Sequence, residues 1–324
     1  MTTAGGRSTG VGELPPAAGG AVMATAVLSV GMHLVGAETV SRVLLGLAAA
    51  LWLLLAGVFL SRLVSDRRRW VREADTPAAL TGVAATAVLG VRCHALGWQA
   101  VPEVLLALAF ALWPGLLVSV LRHGGRRVPG AVFLVSVATE ALAVLAADLG
   151  GAVWRVLPWA AAVLWLLGLA LYVEAFARFD VAQVVDGRGD QWIAAGALAA
   201  GALAADKLWS ASSGPAAGRS GLYDAMLVLL VLALLGYAVL AAAEVVRPRL
   251  TYDVARWATV FPMAMTAATA LSVGTTVRAP WLSALGCVLL AAATAAWLLT
   301  TYGAARRRLR RQPAGTPADP GAPR

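Results

Sequence analysis

Ten stretches of mostly apolar residues, separated by short polar breaks, dominate the chain: about residues 16–36, 41–61, 77–95, 102–121, 129–149, 153–176, 191–210, 222–244, 254–277 and 280–303. About 20 apolar residues carry one helix across a hydrocarbon layer, so the pattern predicts an all-α membrane protein with ten transmembrane helices. The apolar residues alternate in kind. Even-numbered stretches are crowded with Leu and Trp, whereas odd ones are built from Ala, Gly, Ser and Thr, as in GGAVMATAVLS, LTGVAATAVLG and IAAGALAAGALAA. Large side chains suit lipid, and small ones let helix backbones approach closely. The expected architecture is therefore five hairpins, with an inner ring of odd helices around a pore and an outer ring of even helices. It is a repeat of architecture in which no motif common to the hairpins is evident.

The ninth stretch, TYDVARWATVFPMAMTAATALSVGTTV at 251–277, has its own pattern. Pro262 lies well inside it, where it removes one backbone hydrogen bond and crowds the preceding turn. A break of that kind in a membrane helix survives where neighbours or a cavity take up the freed groups. At about 100° per residue, Ala258, Phe261, Met265, Ala268, Ser272 and Thr275 share one stripe. The stripe is small or weakly polar apart from one ring and one thioether. It reads either as the lining of a narrow path, with Phe261 its only rigid bulky group, or as a helix–helix packing face.

Composition agrees with a polytopic membrane protein. Of 324 residues, 60% are hydrophobic and only 13% charged, and the mean hydropathy is +0.77; a soluble domain carries about 25% charged residues. The net charge of +9 is almost wholly arginine, Lys207 being the single lysine. Its placement in loops points away from nucleic acid. All but six of the 26 basic residues fall in the terminal segments and the even-to-odd breaks; the six are Arg42, Arg92, Arg155, Lys207, Arg219 and Arg278. By the positive-inside bias both termini are cytoplasmic, and the Ala- and Arg-rich usage suggests a bacterial inner membrane. Residues 1–14 read as a flexible cytoplasmic amino terminus without a cleavable signal. Residues 15–303 form the ten-helix domain, and 304–324 form a basic, Pro/Gly-rich tail expected to be disordered.

Ten helices in hairpins, with YDVARWATVFPMAM at 252–265 opening the ninth, resemble the tellurite-resistance/dicarboxylate transporter family. That family takes in slow-type anion channels, tellurite-resistance proteins, malate permeases and sulfite pumps. GDQWIAAGALA at 189–199, VATEALAVLAADLG at 137–150 and VMATAVLSV at 22–30 resemble its seventh, fifth and first helices. The sequence departs from the family at Met263, Ala264, Met265 and Thr266, where relatives usually read Leu-Gly-Met-Tyr, and at Ala24-Thr25-Ala26, where they usually read Gly-Thr-Gly. The resemblance implies a homotrimer with one pore per protomer, occluded by a Phe of the ninth helix, here Phe261. The conducted species would be small anions, from chloride and nitrate to small organic acids, and a proton-coupled C4-dicarboxylate or sulfite/tellurite-related exporter is the alternative.

The remaining candidates follow from residue chemistry. Met265, Ala268 and Ser272, with the Pro262 kink, are expected along the path. Thr25, Thr81, Thr86 and Thr139, and Thr266 with them, are inner-ring hydroxyls that either replace water around an anion or bond their own backbone. Glu140 sits near the middle of the fifth stretch, where a charge is costly; it is either a titrating site for proton coupling or a hydrogen-bonded contact between helices. Arg92, near the end of the third stretch, is its candidate partner. His33 and His94 make a poor metal site without a third ligand. Cys93 and Cys287 lie within apolar stretches with no disulfide or zinc spacing. No cofactor is expected. No HExxH, Walker A or G-x-S-x-G motif is present, so neither an enzyme nor direct ATP hydrolysis is indicated.

Overall fold

The computed structural model describes residues 18–123, 128–150, 156–212, 216–248 and 253–311. Within them ten long helices run in sequence: α1 (Gly19–Leu34), α2 (Glu38–Ser65), α3 (Leu80–Ala95), α4 (Ala100–His123), α5 (Leu134–Leu149), α6 (Leu157–Arg178), α7 (Ile193–Ala211), α8 (Ala216–Val246), α9 (Trp257–Thr276) and α10 (Pro280–Arg311). Short helices at Arg67–Ala74 and Gln183–Asp186 lie in two of the connections. The described residues contain no strand, only an isolated bridge between Val128 and Phe179. The expected amino-terminal segment lies outside the described residues, as does the tail beyond 311. The helix α10, however, continues through the first arginines to Arg311, past the boundary expected at 303.

Each odd helix forms a hairpin with the even helix after it, and the odd helices close on one another in the order α1, α3, α5, α7, α9 and back to α1. Each even helix also packs on the inner helix of the next hairpin, α10 on α1 included. Burial separates the two rings. The most apolar windows of α2, α4, α6, α8 and α10 are 22–33% buried, against 61% for α3, 94% for α5 and 78% for α9. The exposed residues of the outer ring are large, such as Leu53, Phe110, Leu166, Leu235 and Leu299, as lipid-facing surfaces require. The alternation in residue size thus becomes two concentric layers.

The inner helices are short. α1, α3 and α5 have 16 residues each, against 28 in α2 and 32 in α10. Eight spans are long and apolar enough to cross a membrane, those of α3, α5 and α9 counted together with the 3₁₀ turn before each; α1 is shorter, and α7, which carries Asp206 and Lys207, is not among them. Sixteen residues rise about 24 Å, less than the roughly 30 Å of a hydrocarbon core. The inner ring therefore leaves room for vestibules at its ends.

At the end of the bundle holding the even-to-odd connections, here the terminal end, a 3₁₀ turn precedes each of α3, α5, α7 and α9. Pro77 stands in the first of these turns and Pro129 caps the second. Pro fits a first turn because its missing N–H has no helical partner there. Gly130 is required for close approach: a Cβ there would lie 2.4 Å from the Asp190 carbonyl oxygen. The Asp190 carboxylate in turn accepts the Ala131 amide at 3.2 Å, which locks the starts of α5 and α7 together. The opposite end, holding the odd-to-even turns, is the hairpin end.

Candidate functional site: the axis of the inner ring

All five inner helices present side chains to one narrow cavity. They are Met23, Val27 and Val30 of α1; Ala84, Val88 and Val91 of α3; Val137, Ala141 and Val144 of α5; Ala200 and Leu203 of α7; and Phe261, Met265 and Ala268 of α9. Each full set has the spacing i, i+4, i+7, one helical stripe. The cavity is about 30 Å³, room for about one or two waters. Every lining side chain is apolar, and Phe261 is the only aromatic among them.

This common spacing fixes a register between the hairpins. It aligns MATAVLSV (23–30), AATAVLGV (84–91) and VATEALAV (137–144), which share Ala-Thr-x-x-Leu-x-Val. Three of the five hairpins do have a common motif, contrary to the sequence expectation. It escapes notice because the aligned residues are small and common, and because successive copies are unevenly spaced in the chain.

The motif also explains where the threonines point. Position i+2 lies about 200° around the helix from position i, so Thr25, Thr86 and Thr139 face the outer ring. There each meets an indole. Trp297 of α10 donates to Thr25 Oγ1 at 2.9 Å, Trp52 of α2 to Thr86 Oγ1 at 2.8 Å, and Trp113 of α4 to Thr139 Oγ1 at 2.9 Å. The three hydroxyls pass their own protons to Ala21, Gly82 and Val135 carbonyls. Trp165 of α6 completes the series by donating to the Gly201 carbonyl of α7 at 3.0 Å. Thr81 donates to Ala78 and sits against Gly19, and Thr266 donates to Pro262. None of these threonines lines the axial cavity. The expectation of a hydroxyl-lined path is corrected: the hydroxyls serve backbone and indole partners.

The ninth-helix stripe divides in two. Phe261, Met265 and Ala268 face the axis, while Ser272 and Thr275 face a separate vestibule at the hairpin end. Pro262 was expected as a kink along the path. Its ring instead packs on Gly196 of α7, off the axis.

Glu140 is fully buried but does not line the cavity. It points between α5, α6 and α7, where glycines make its space: a Cβ on Gly168 would lie 2.6 Å from Glu140 Cγ, and one on Gly201 3.0 Å from Oε1. Neither carboxyl oxygen has a hydrogen-bond partner among the described residues. Ser136, one turn earlier, donates to the Gly168 carbonyl instead.

Arg92 is not the partner of Glu140. It is fully buried at the hairpin end, where Nη2 reaches Glu38 Oε1 at 2.7 Å and Nε reaches Ser41 Oγ at 2.8 Å. Glu38 also binds Arg42 at 2.9 Å and His33 Nδ1 at 2.8 Å, and Ser29 and Ser41 exchange hydroxyl-to-carbonyl bonds. This cluster pins α1, α2 and α3 together. Sequence reasoning passed over Glu38, although a Glu four residues before Arg42 is a recognised helical pair.

The hairpin-end vestibule, about 380 Å³, is lined by Asp148, Asp206, Lys207, Ser210, Ser272, Thr275 and Thr276 among others. Ser272 and Thr276 each donate to one carboxylate oxygen of Asp206, at 2.7 and 2.6 Å, tying α9 to α7. Lys207 pairs with Asp148 at 3.0 Å.

Residues 13–305 match the family model described as SLAC1, voltage-dependent anion channel. The chain belongs to the SLAC1 family. No curated protein matches it closely enough to name as a relative. Membership agrees with the resemblance drawn from YDVARWATVFPMAM and makes transport of anions across a membrane the activity to explain. In this SLAC1-family chain the match takes in all five inner helices and the whole axial cavity.

Proposed function

We propose that the chain passes small anions, of the chloride or nitrate kind, along the axis of its inner ring, one pore to each protomer of a homotrimer, and that Phe261 closes the pore. One observation supports this above the rest: five helices in one register surround a single wholly apolar cavity, and Phe261 supplies its only ring. A cavity of about 30 Å³ with no polar lining holds no hydrated anion. An apolar constriction of that width stops ions by staying dry. Phe261 is 3% exposed and stands beside Met265, so the closed state is a plug of one ring and one thioether among Val and Ala side chains.

Arginines gather at the terminal end, including Arg62, Arg67, Arg68, Arg122, Arg178, Arg188, Arg247 and Arg256. That bias supports a cytoplasmic terminal end in a bacterial inner membrane, with the hairpin end outside. The deciding experiment compares anion flux through purified parent and Phe261→Ala protein in liposomes, normalised to folded protein. A gain in flux supports the gate, and a folded variant with no gain removes Phe261 from the path.

A second reading is a proton-coupled exporter of C4-dicarboxylates or sulfite/tellurite-related anions, with Glu140 as the titrating group. What favours it is the buried carboxyl without a hydrogen-bond partner beside the lining of α5. Intramembrane carboxyls of this kind mark proton relays. Under this reading Glu140→Gln abolishes the pH dependence of flux; unchanged pH dependence assigns Glu140 to packing.

A further inference from the structure

The outer helix α2 leads into a strongly basic element at the terminal end. Its 28 residues rise about 42 Å, the thickness of a bilayer with its headgroups, about 40–45 Å. Its exposed side chains stay apolar almost to the last residue, with Leu60, Leu63 and Val64 all open on the surface. The α-helix then breaks at Asp66, and the chain enters the short helix Arg67–Ala74, RRRWVREA. That helix turns back onto α2 instead of projecting away. The Trp70 ring lies 5.2 Å from the Phe59 ring, and Arg62 Nη1 donates to Glu73 Oε2 at 2.5 Å. Just beyond it, Ser119 of α4 donates to the Asp75 carboxylate. The basic helix is thereby held at the level where the lipid-facing apolar surface ends.

We propose that this short helix is a docking surface for the headgroup phosphates of anionic phospholipids in the leaflet at the terminal end. At about 100° per residue, Trp70, Glu73 and Ala74 share one face, which meets the bundle, and Arg68, Val71 and Arg72 share the other, with Arg67 at its edge. Arg67, Arg68, Val71 and Arg72 are all exposed, and among the described residues these three arginines meet no acid. The local charge is positive. Arg62 cancels Glu73, the arginines at 67, 68, 69 and 72 outnumber Asp66 and Asp75 by two, and Arg122, exposed one turn beyond Ser119 on α4, adds one more. Guanidinium groups take phosphate oxygens in pairs, and a cluster of four or more basic residues beside a membrane helix holds anionic lipid. Val71 within the basic face and Trp70 beside it favour lipid over a soluble polyanion, because both suit the boundary between headgroups and acyl chains. Occupancy also reaches the inner ring. Only a short connection through the Pro77 turn separates this helix from α3, which carries Ala84, Val88 and Val91 of the axial cavity. A bound headgroup thus steadies the start of an inner helix, whether or not Phe261 is the gate.

The test melts purified full-length protein in detergent micelles doped with phosphatidylglycerol or with zwitterionic phosphatidylcholine, since a ligand bound only to the folded state raises the melting temperature. The expected result is a saturating rise with phosphatidylglycerol, none with phosphatidylcholine, and none with glycerol phosphate, the same headgroup chemistry free in water. The variant Arg67→Gln/Arg68→Gln/Arg72→Gln needs about tenfold or more phosphatidylglycerol for half-saturation, and Lys at the same three positions restores the parent value. Arg188→Gln/Arg306→Gln, which removes exposed charge elsewhere at the terminal end, leaves half-saturation unchanged. In the parent, phosphatidylglycerol slows amide hydrogen exchange over residues 67–80, which reports local opening there. An equal rise with phosphatidylcholine or glycerol phosphate overturns the proposal. So does an unchanged half-saturation in the triple variant, or a shift as large in Arg188→Gln/Arg306→Gln. Should the triple variant fail to fold, the parent decides alone: exchange over 67–80 that phosphatidylglycerol does not slow overturns the proposal.

Discussion

Pro262 of α9 is seated on Gly196 of α7: a Cβ at position 196 would fall 2.8 Å from the proline Cβ and 3.0 Å from its Cα. The proline has no N–H to give, so its helix loses a rung, and the ring docks against bare backbone on the neighbouring inner helix. The contact sits one residue from Phe261 and so holds that ring in place along the axis. Gly196→Ala must push α7 and α9 apart at a backbone atom. Overpacking of this kind costs about 1–3 kcal/mol. Gly82, which has nothing within 4 Å of a built Cβ, is the control, and Gly82→Ala is expected to be neutral or stabilising by up to about 1 kcal/mol. Melting of the two purified variants checks both. Equal stability would show that the α7–α9 contact carries no strain.

Phe261→Ala separates plug from packing. If the ring were core like any other, its loss would cost about 3–5 kcal/mol and lower the folded amount. As a gate, it leaves folded protein and raises anion flux per molecule by roughly tenfold or more, since a widened apolar neck admits water. Flux normalised to monodisperse protein decides between them.

The indole clasps are expected to be modest individually. Trp113→Phe removes the bond to Thr139 and keeps most of the ring; it should cost about 0.5–1.5 kcal/mol. Thr139→Val should add little on top of it, because the same bond is already gone. A double-mutant cycle in detergent measures this; full additivity would mean that the indole and hydroxyl do not interact.

Gly168 and Glu140 form a pair of a different kind. Gly168→Ala sets a methyl 2.6 Å from Glu140 Cγ and should destabilise by about 1–3 kcal/mol. Glu140→Ala in the same protein clears that space, so the double variant should melt above Gly168→Ala alone. No recovery would place the Gly168 methyl against something other than Glu140.

Cysteines introduced on the two rings test the layers themselves. In a Phe261→Ala background, cysteines at Val27, Val88 and Val144 should react with small water-soluble thiol reagents, while those at Leu53, Leu166 and Leu235 should stay unreactive in lipid. Equal labelling of both sets would sink the two-ring arrangement as the route of permeation.

Much of this was legible in the chain because membrane helices advertise their surroundings through side-chain size. Leu and Trp against Ala and Gly gave both rings and the hairpin pairing, and the stripe from Phe261 to Ala268 stood out as either path lining or packing face, a choice that needed the facing helices. The threonines were misassigned for a physical reason. Thr25, Thr86 and Thr139 look like natural ion ligands in an apolar helix, but helical phase alone does not say which face is inward. That needed the positions of Trp52, Trp113 and Trp297, which are distant in sequence or, for Trp297, at the other end of the chain. Arg92 was matched to Glu140 because both are inside the membrane domain; the nearer acid, Glu38, looked like an unremarkable helix start. Pro262 was expected along the path, whereas its docking off the axis depends on Gly196, 66 positions earlier.

The bond from Trp297 to Thr25 joins the last helix to the first just as Trp52 joins α2 to α3. A closed circuit of hairpins has no privileged beginning. The place where the chain starts is, for the assembled barrel, an accident of covalent order. A gene rearranged to begin at α3, with a linker joining the end of α10 to the start of α1, would encode a circular permutant with the same neighbours at every interface. Growth by tandem copying of one hairpin is then an economical history for the fold, and Ala-Thr-x-x-Leu-x-Val, still readable in three of the five inner helices, is what such copying would leave behind.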